Sequence, residues 1–360
     1  MIIIAILLLL LDSAYSGPAD RLCAPSSVPR KCAVLPTTTI TALMYTITNA
    51  YSNVKLRWQK ENYFLNVNDD MAQLMDSTPP VALQYMPVIL DELLAHSSSV
   101  FRYGQWVISD DIRTELMSIM GLDTATHKET VTSFWASSAG VHTAAHYDTH
   151  QNVFIQLRGR KHFRFMPPEH MLERDIYPRF HMLERQLKHG PQCYLGTLEF
   201  EIGPGDVLFI PPFWVHEPVA KDNSLSLSLM QEVVQHIGVI RQARGQQFPH
   251  QTQWSWEQSR AGLATYLSAF AGNKSMMALA QYRYEIPCKP QISPNECIVS
   301  NGVWALLVKL GKEKQRLFAT IPNLAARTMT IQDHAEFVVA QSVGVKMLPK
   351  FFAQCFSPIC

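Results

Sequence analysis

The residues best suited to chemistry are His146 and Asp148, in the run Thr143-Ala-Ala-His146-Tyr-Asp148, and His216, at the end of Pro211-Pro-Phe-Trp-Val-His216. Two imidazoles and one carboxylate are the ligand set of the non-haem iron(II) facial triad, which leaves coordination positions open for a cosubstrate and oxygen. A His-x-Asp pair is weak evidence alone, since with 13 histidines in the chain one chance occurrence is unsurprising. Placement strengthens it. Residues two apart on a strand project from the same face, so both side chains could reach one ion from one rigid element. His216 must then arrive from a neighbouring strand. The turn Gly203-Pro-Gly-Asp206 followed by Val207–Ile210 supplies one, with His216 just beyond.

Lys161 adds a second signal, at a polar site of the alternating run Lys161-His-Phe-Arg-Phe-Met166. A lysine pointing into a barrel is costly unless it meets an anion. A dicarboxylate cosubstrate would be such an anion, chelating the metal at one end and pairing its far carboxylate with Lys161 and the Thr143 hydroxyl. Taken in isolation, a lysine near a strand start is more often solvated.

These side chains need a rigid frame, and the sequence predicts one. Short alternating segments run through Thr130–Trp135, Asn152–Leu157, Lys161–Met166, Leu198–Ile202, Val207–Ile210 and Ser224–Leu229, separated by turn residues such as Arg158-Gly-Arg160. That texture suggests a sandwich or barrel, here a jelly roll. Upstream, residues 17–40 are rich in Pro, Ser and Thr and read as an extended arm. Tyr85–Leu94 and residues 110–121 read as helices, with Pro87 near the start of the first and Gly121 stopping the second. A polar stretch, 167–197, interrupts the strands and carries His170-Met-Leu-Glu-Arg174 and again His181-Met-Leu-Glu-Arg185, read as two helical turns at the barrel mouth. From about 235 the chain reads as a helical bundle, with segments Trp256–Phe270, Val303–Leu310 and His334–Leu348. It could pack on the barrel or form a homodimer.

The bulk composition agrees. In 360 residues, 47% hydrophobic and 17% charged content permits a sizeable core, and a formal net charge of +1 gives no electrostatic reason to expect nucleic acid. Met1–Leu11 is apolar but short for a membrane span, and Ala14 and Ser16 have the small side chains expected before a cleavage point, so residues 1–16 read as a signal peptide. No later segment is apolar enough to cross a membrane. Seven cysteines fit an oxidising compartment. Local pairs Cys23/Cys32, Cys288/Cys297 and Cys355/Cys360, with Cys193 unpaired, are the simplest arrangement, though spacing does not fix connectivity. Asn273-Lys-Ser275 is a glycosylation acceptor sequence in that compartment.

Taken together, Thr143-Ala-Ala-His146-Tyr-Asp148-Thr-His-Gln-Asn152, Gln156-Leu-Arg-Gly159-Arg-Lys161, Phe165-Met-Pro-Pro168 and the run from Gly203 to His216 resemble the JmjC-domain oxygenases. The match covers roughly residues 85–230 and looks most like the hydroxylase branch that includes the asparaginyl hydroxylase factor inhibiting HIF. The resemblance implies a mainly β double-stranded β-helix (jelly roll, cupin/JmjC) with N-terminal helices and a C-terminal helical bundle. It implies iron(II) on His146, Asp148 and His216, and 2-oxoglutarate on Lys161 and Thr143, with Tyr103 joining them and Asn152 near the metal. Several family members carry an Asn on the last core strand; the matching place here is Met230 or Gln231.

The expected layout is a signal peptide (1–16), an N-terminal arm with flanking elements (17–84), a catalytic barrel (85–235) and a helical region (236–360). The expected activity is 2-oxoglutarate-dependent hydroxylation of a protein side chain, using oxygen and releasing succinate and CO2, in the ER lumen or outside the cell. His-x-Asp rather than His-x-Glu leans toward hydroxylation over lysine demethylation. Two alternatives stand beside it: a cupin-type metalloenzyme that does not use 2-oxoglutarate, and a non-catalytic secreted binding module.

Overall fold

Strand alternation decides the architecture. The computed structural model describes residues 22–65, 67, 69–74, 84–95, 100–122, 130–188, 198–231, 234–245, 248–249, 254–288 and 303–358. Strand β1 (Arg30–Val34) leads to helix α1 (Thr37–Ala50), β2 (Asn53–Gln59), β3 (Tyr63–Phe64) and α2 (Asp69–Leu74). Then come β4 (Gln84–Ile89), α3 (Leu90–Ala95), β5 (Phe101–Val107) and α4 (Asp110–Ile119). The barrel continues through β6 (Thr130–Ser137), β7 (His142–Thr143), β8 (His146–Tyr147), β9 (Gln151–Arg158) and β10 (Lys161–Met166). It closes with β11 (Leu198–Ile202), β12 (Asp206–Ile210), β13 (Val215–Ala220) and β14 (Ser224–Gln231).

One sheet has the order β1-β12-β9-β14-β6-β5-β2-β4. The other runs β11-β10-β13-β7-β3, with β8 also pairing β13. On β14, Leu225, Leu227 and Leu229 point away from the barrel into a core shared with Ile40, Leu43 and Ile47 of α1 and Leu116 and Met117 of α4. Fully burying each such leucine contributes about 1.5–3 kcal/mol. The alternate residues face inward and are polar: the Ser226 hydroxyl donates to Gln156 Oε1 and the Ser228 hydroxyl to Asn152 Oδ1, each at 2.8 Å. Between the sheets, Phe154, Phe163, Phe165, Leu208 and Ile210 form an apolar cluster, of which Phe154, Phe163 and Ile210 also wall the cavity described below.

Three expectations differ from what is found. Residues 37–40, expected in the extended arm, instead open helix α1, which buries Ile40, Leu43 and Ile47 at helical spacing, and this outweighs its β-branched threonines. Tyr85–Ile89 is strand β4, and the helix starts only at Leu90. β4 sits at the sheet edge, where a proline such as Pro87 is tolerated. In 167–188, the first His-Met-Leu-Glu-Arg string lies in a 3-10 turn over Pro168–Glu173, while the second follows an irregular course.

The C-terminal region comprises α5 (Val234–Gly245), α6 (Trp256–Ala271), α7 (Asn273–Tyr284), α8 (Val303–Phe318), α9 (Leu324–Val343) and α10 (Leu348–Cys355). Helix α9 begins ten residues before the expected start at His334, where Asn323 Oδ1 accepts from the Ala326 amide at 2.8 Å, and stops at Gly344 with φ 92°. No helix among the described residues is long and apolar enough to cross a membrane. Cys23 and Cys32 form a disulfide, and Cys288 is also disulfide-bonded. The expected signal peptide, Cys193, Cys297 and Cys360 lie outside the described residues.

Candidate metal centre and cosubstrate pocket

Backbone pairing brings the triad together. β8 runs antiparallel to β13 with His146 directly opposite His216, and the two rings lie 4.4 Å apart between centroids. Asp148 follows β8, its carbonyl accepting from the Phe213 amide at 2.8 Å. Phe213 holds φ 65°, a left-handed turn rare for a residue with a side chain, and this turn delivers the chain into β13. One ligand atom from each of His146, Asp148 and His216 lies within 4.8 Å of the others.

The electrostatics of the three groups suit a cation. Each histidine bonds through Nδ1 to the carbonyl two residues upstream, His146 to Ala144 at 2.7 Å and His216 to Trp214 at 3.0 Å. Such a bond requires the proton on Nδ1 and leaves the Nε2 lone pair free for a metal. Burial, with neighbouring His146, pushes the His216 pKa down to about 4, although Asp148 works the other way. Asp148 Oδ2 is buried without a hydrogen-bond partner, 3.7 Å from His216 Nε2. Three acceptors converge with no donor among them, an arrangement a divalent cation satisfies.

The triad opens into a cavity of about 500 Å³ that all seven sequence-predicted residues line: Tyr103, Thr143, His146, Asp148, Asn152, Lys161 and His216. Lys161 is only 5% exposed, and its ammonium lies 5.3 Å from the Phe154 ring centroid with no carboxylate paired to it among the described residues. Burial lowers its pKa to about 7. On β13, Lys161 is level with Ala220 and the His146 partner His216 is level with Phe165. Four residues of strand therefore separate lysine and metal levels, about 13 Å at 3.3 Å per residue.

Tyr103 and Thr143 share a side-chain hydrogen bond, and both are buried. Asn152 is held by Ser228. Of the two candidates at the end of β14, Met230 lines the cavity, while the Gln231 amide donates to Thr130 Oγ1 and accepts from Gln151 Nε2. Sequence reasoning gave no role to Lys55, Arg57, Tyr85, Trp135, Glu184 and Arg185, which also line the cavity. Alternation could have flagged Trp135, two residues from Ser133 and Ser137 on the inner face of β6. Nothing local marks Arg185, whose place depends on a loop folding back onto β8.

Similar proteins extend the picture. HSPB1-associated protein 1 of Bos taurus is 30% identical over 96 residues, 23% of this chain and 20% of its own length. Lysine-specific demethylase JMJ30 of Arabidopsis thaliana is 30% identical over 108 residues, 26% of this chain and 24% of that protein. tRNA wybutosine-synthesizing protein 5 of Gallus gallus is 31% identical over 113 residues, covering 27% and 32%. The aligned part thus spans a third or less of each relative. Among solved structures, E. coli ycfD overlaps 62% of both chains at 16% identity with a TM-score of 0.29. The profile of the cupin-like domain matches residues 43–230, more than half of the chain and the whole stretch that builds triad and cavity, so the chain belongs to the cupin-like, JmjC-type domain family.

Proposed function

We propose that this protein is an iron(II)- and 2-oxoglutarate-dependent dioxygenase that hydroxylates a protein side chain, releasing succinate and CO2. One observation carries the reading: Lys161 is a buried cation in the triad's own cavity, without a carboxylate partner among the described residues, about 13 Å of strand from the metal level. An uncompensated buried charge is too costly to be a packing choice. The lysine arm and a short dicarboxylate, end to end, can bridge that separation.

Iron(II) with bound 2-oxoglutarate supplies an oxidant able to take hydrogen from an unactivated carbon. The chain's own groups fix the geometry. His146 and His216 present Nε2 because their Nδ1 protons are committed to Ala144 and Trp214. Asp148 Oδ2 offers the third ligand. Lys161 and the Thr143 hydroxyl, oriented by Tyr103, take the far carboxylate. Asn152, locked by Ser228, borders the cosubstrate, and Phe154 and Phe163 keep that end dry. A relative named as a lysine-specific demethylase supports oxidative chemistry in this family. The Cys23–Cys32 disulfide supports work in the secretory pathway.

The test is calorimetry of 2-oxoglutarate into the manganese-loaded protein, followed by succinate release with iron(II) and ascorbate. Binding that disappears in Lys161→Met, together with succinate formation, is expected. Absence of both binding and turnover in the wild type would exclude 2-oxoglutarate and leave a cupin metalloenzyme of another kind or a binding module.

A further inference from the structure

Three cationic groups of the cavity, Lys55, Arg57 and Arg185, have no part in holding metal or cosubstrate, and Arg185 is the one tied to the strand that carries His146. Arg185 lies in the loop after β10, which folds back along β8: the Tyr147 amide donates to the Arg185 carbonyl at 3.3 Å, and the Leu187 amide to the Ala145 carbonyl at 2.9 Å. Arg185 itself holds φ 63°, a left-handed conformation that a side-chain-bearing residue adopts at a cost and that recurs where function demands it. Its side chain is 23% exposed and lines the cavity. Its Nε is enclosed without a hydrogen-bond partner among the described residues, and its ion-pair contact to Glu184, at 3.7 Å, is longer than a hydrogen bond. A buried guanidinium normally finds bonds for its donors. Glu184, Asp333, Tyr147 and Asp148 all favour its positive charge, but none of them accepts a hydrogen bond from Nε.

Position along the barrel says what the arginine faces. Reading along β13, Ala220 is level with Lys161, His216 with His146, and Val215 with Tyr147. Arg185, tied to Tyr147, is thus on the opposite side of the triad from Lys161. The Lys161 side suits the cosubstrate; the Arg185 side is where a primary substrate must approach the metal.

We propose that Arg185 is a specificity-determining residue whose guanidinium takes a carboxylate of the primary substrate. The proposal rests on the assignment of Lys161 to 2-oxoglutarate. Two sources could present that group: an acidic side chain of a peptide, or a free small acid. Arginine suits either, because its planar fork matches a carboxylate through two parallel bonds.

The experiment uses the full chain loaded with manganese(II). The probes are a fluorescent, end-capped pentapeptide pool with aspartate fixed at the centre, the same pool with asparagine, and N-acetylaspartate and glutarate as competitors. Binding is read by anisotropy. The aspartate pool should bind about tenfold or more tightly than the asparagine pool, as expected for bonds to a charged group. Arg185→Gln should erase that preference and leave 2-oxoglutarate affinity within about twofold by calorimetry. Arg185→Gly should erase it too, and it should unfold later than Arg185→Gln, which loses the same charge beside Asp333 but keeps a side chain on the left-handed backbone. A purely structural arginine would leave the acid preference intact in both variants. Equal affinity for the two pools in wild type and failure of either acid to displace them, or loss of 2-oxoglutarate binding in Arg185→Gln, overturns the proposal. Displacement by the free acids assigns the carboxylate to a small molecule; preference without displacement assigns it to a peptide. If the wild type shows the Arg185-dependent preference but binds no 2-oxoglutarate, the dioxygenase reading fails and this one survives.

Discussion

Two buried charge clusters lie near one another in this molecule and are built to opposite rules. In the helical region, Arg283 of α7 donates to Asp333 at 2.6 Å, to Gln332 at 3.3 Å and to Glu336, while Tyr284 donates to Glu336 at 2.6 Å. Nearly every strong donor and acceptor there has a partner. In the barrel, Asp148 Oδ2 has none, and Lys161 has only an aromatic face. The clusters touch through Tyr147, which sits between two triad residues and donates to Asp333 at 3.4 Å. Charges that hold the fold are neutralised within the chain, whereas the barrel charges are left for ligands to neutralise. A saturated network beside an open one also anchors the open one, since the β8 strand is fixed from its outer side.

The sharpest way to break this contrast is Arg283→Met. Burial works to raise the Asp333 pKa, and Arg283, Arg185 and Arg179 lower it by more, so its carboxyl ends below the ordinary value. Without Arg283 the buried carboxylates of Asp333 and Glu336 would lose the one cation that bonds both, a loss of about 3–5 kcal/mol. Urea unfolding should show it as a lower midpoint. Lys161→Met, the matching deletion in the barrel, should leave the metal-free midpoint unchanged or raised, because no partner is stranded. Similar losses from both would end the distinction.

Acid should discriminate the two regions next. His334 of α9 is packed against Phe270 and Phe318, with no partner for Nε2 among the described residues. Burial first, then Lys314, Arg244 and Arg179, pushes its pKa down to about 3. The unfolded chain therefore takes up this proton before the folded one does. Stability is complete above the ordinary histidine value and falls as pH drops from there toward 3. Between pH 7 and pH 5 the loss is about 2 kcal/mol. His334→Phe should flatten the slope in the melting temperature; an unchanged slope would place acid sensitivity elsewhere.

A smaller effect sharpens the reading of Lys161. Its folded pKa of about 7 means the free pocket loses its positive charge as pH rises past neutrality. A dicarboxylate needs the ammonium, so above pH 7 binding should draw in one proton and weaken up to about tenfold, or 1.4 kcal/mol, per pH unit. Calorimetry in buffers of different ionisation heat measures that uptake. Lys161→Arg should retain binding and remove the uptake. Proton-independent binding in the wild type would mean that the anion lies elsewhere.

How much of this was legible in the sequence follows from the range of the interactions. Lys161 was legible because strand alternation is local and fixes which side chains face inward; the triad was legible by residue type and spacing, but His216 stands on its own strand β13, in the other sheet from the expected strand Val207–Ile210, and Asp148 lies just after β8. Tyr85–Ile89 was misread because its apolar spacing also fits a helix; only its place at a sheet edge, a long-range fact, decides. Helix α1 was hidden by β-branched threonines and is set by burial against β14 and α4. The Arg283–Asp333 pair joins residues 50 apart on two helices, where each charge alone reads as a solvated face. The string ending at Arg185 was read at the barrel mouth but as a helical turn with no role, because its site is made when a loop returns to β8.

The smallest expected change is the most diagnostic. Asp148→Asn keeps the volume of the side chain and removes its charge. Because Asp148 Oδ2 makes no hydrogen bond, the metal-free fold should lose nothing measurable, within about 0.5 kcal/mol, or gain slightly from a cheaper desolvation. Manganese binding by equilibrium dialysis should nevertheless collapse, since a carboxylate ligand is gone. The equivalent change at Asp333 should do the reverse, costing stability through Arg283 while leaving the metal ligands in place. If Asp148→Asn instead destabilised the metal-free protein as Asp333→Asn does, the barrel carboxylate would be a structural charge like its neighbour, and the case for a resident metal would lose its physical basis.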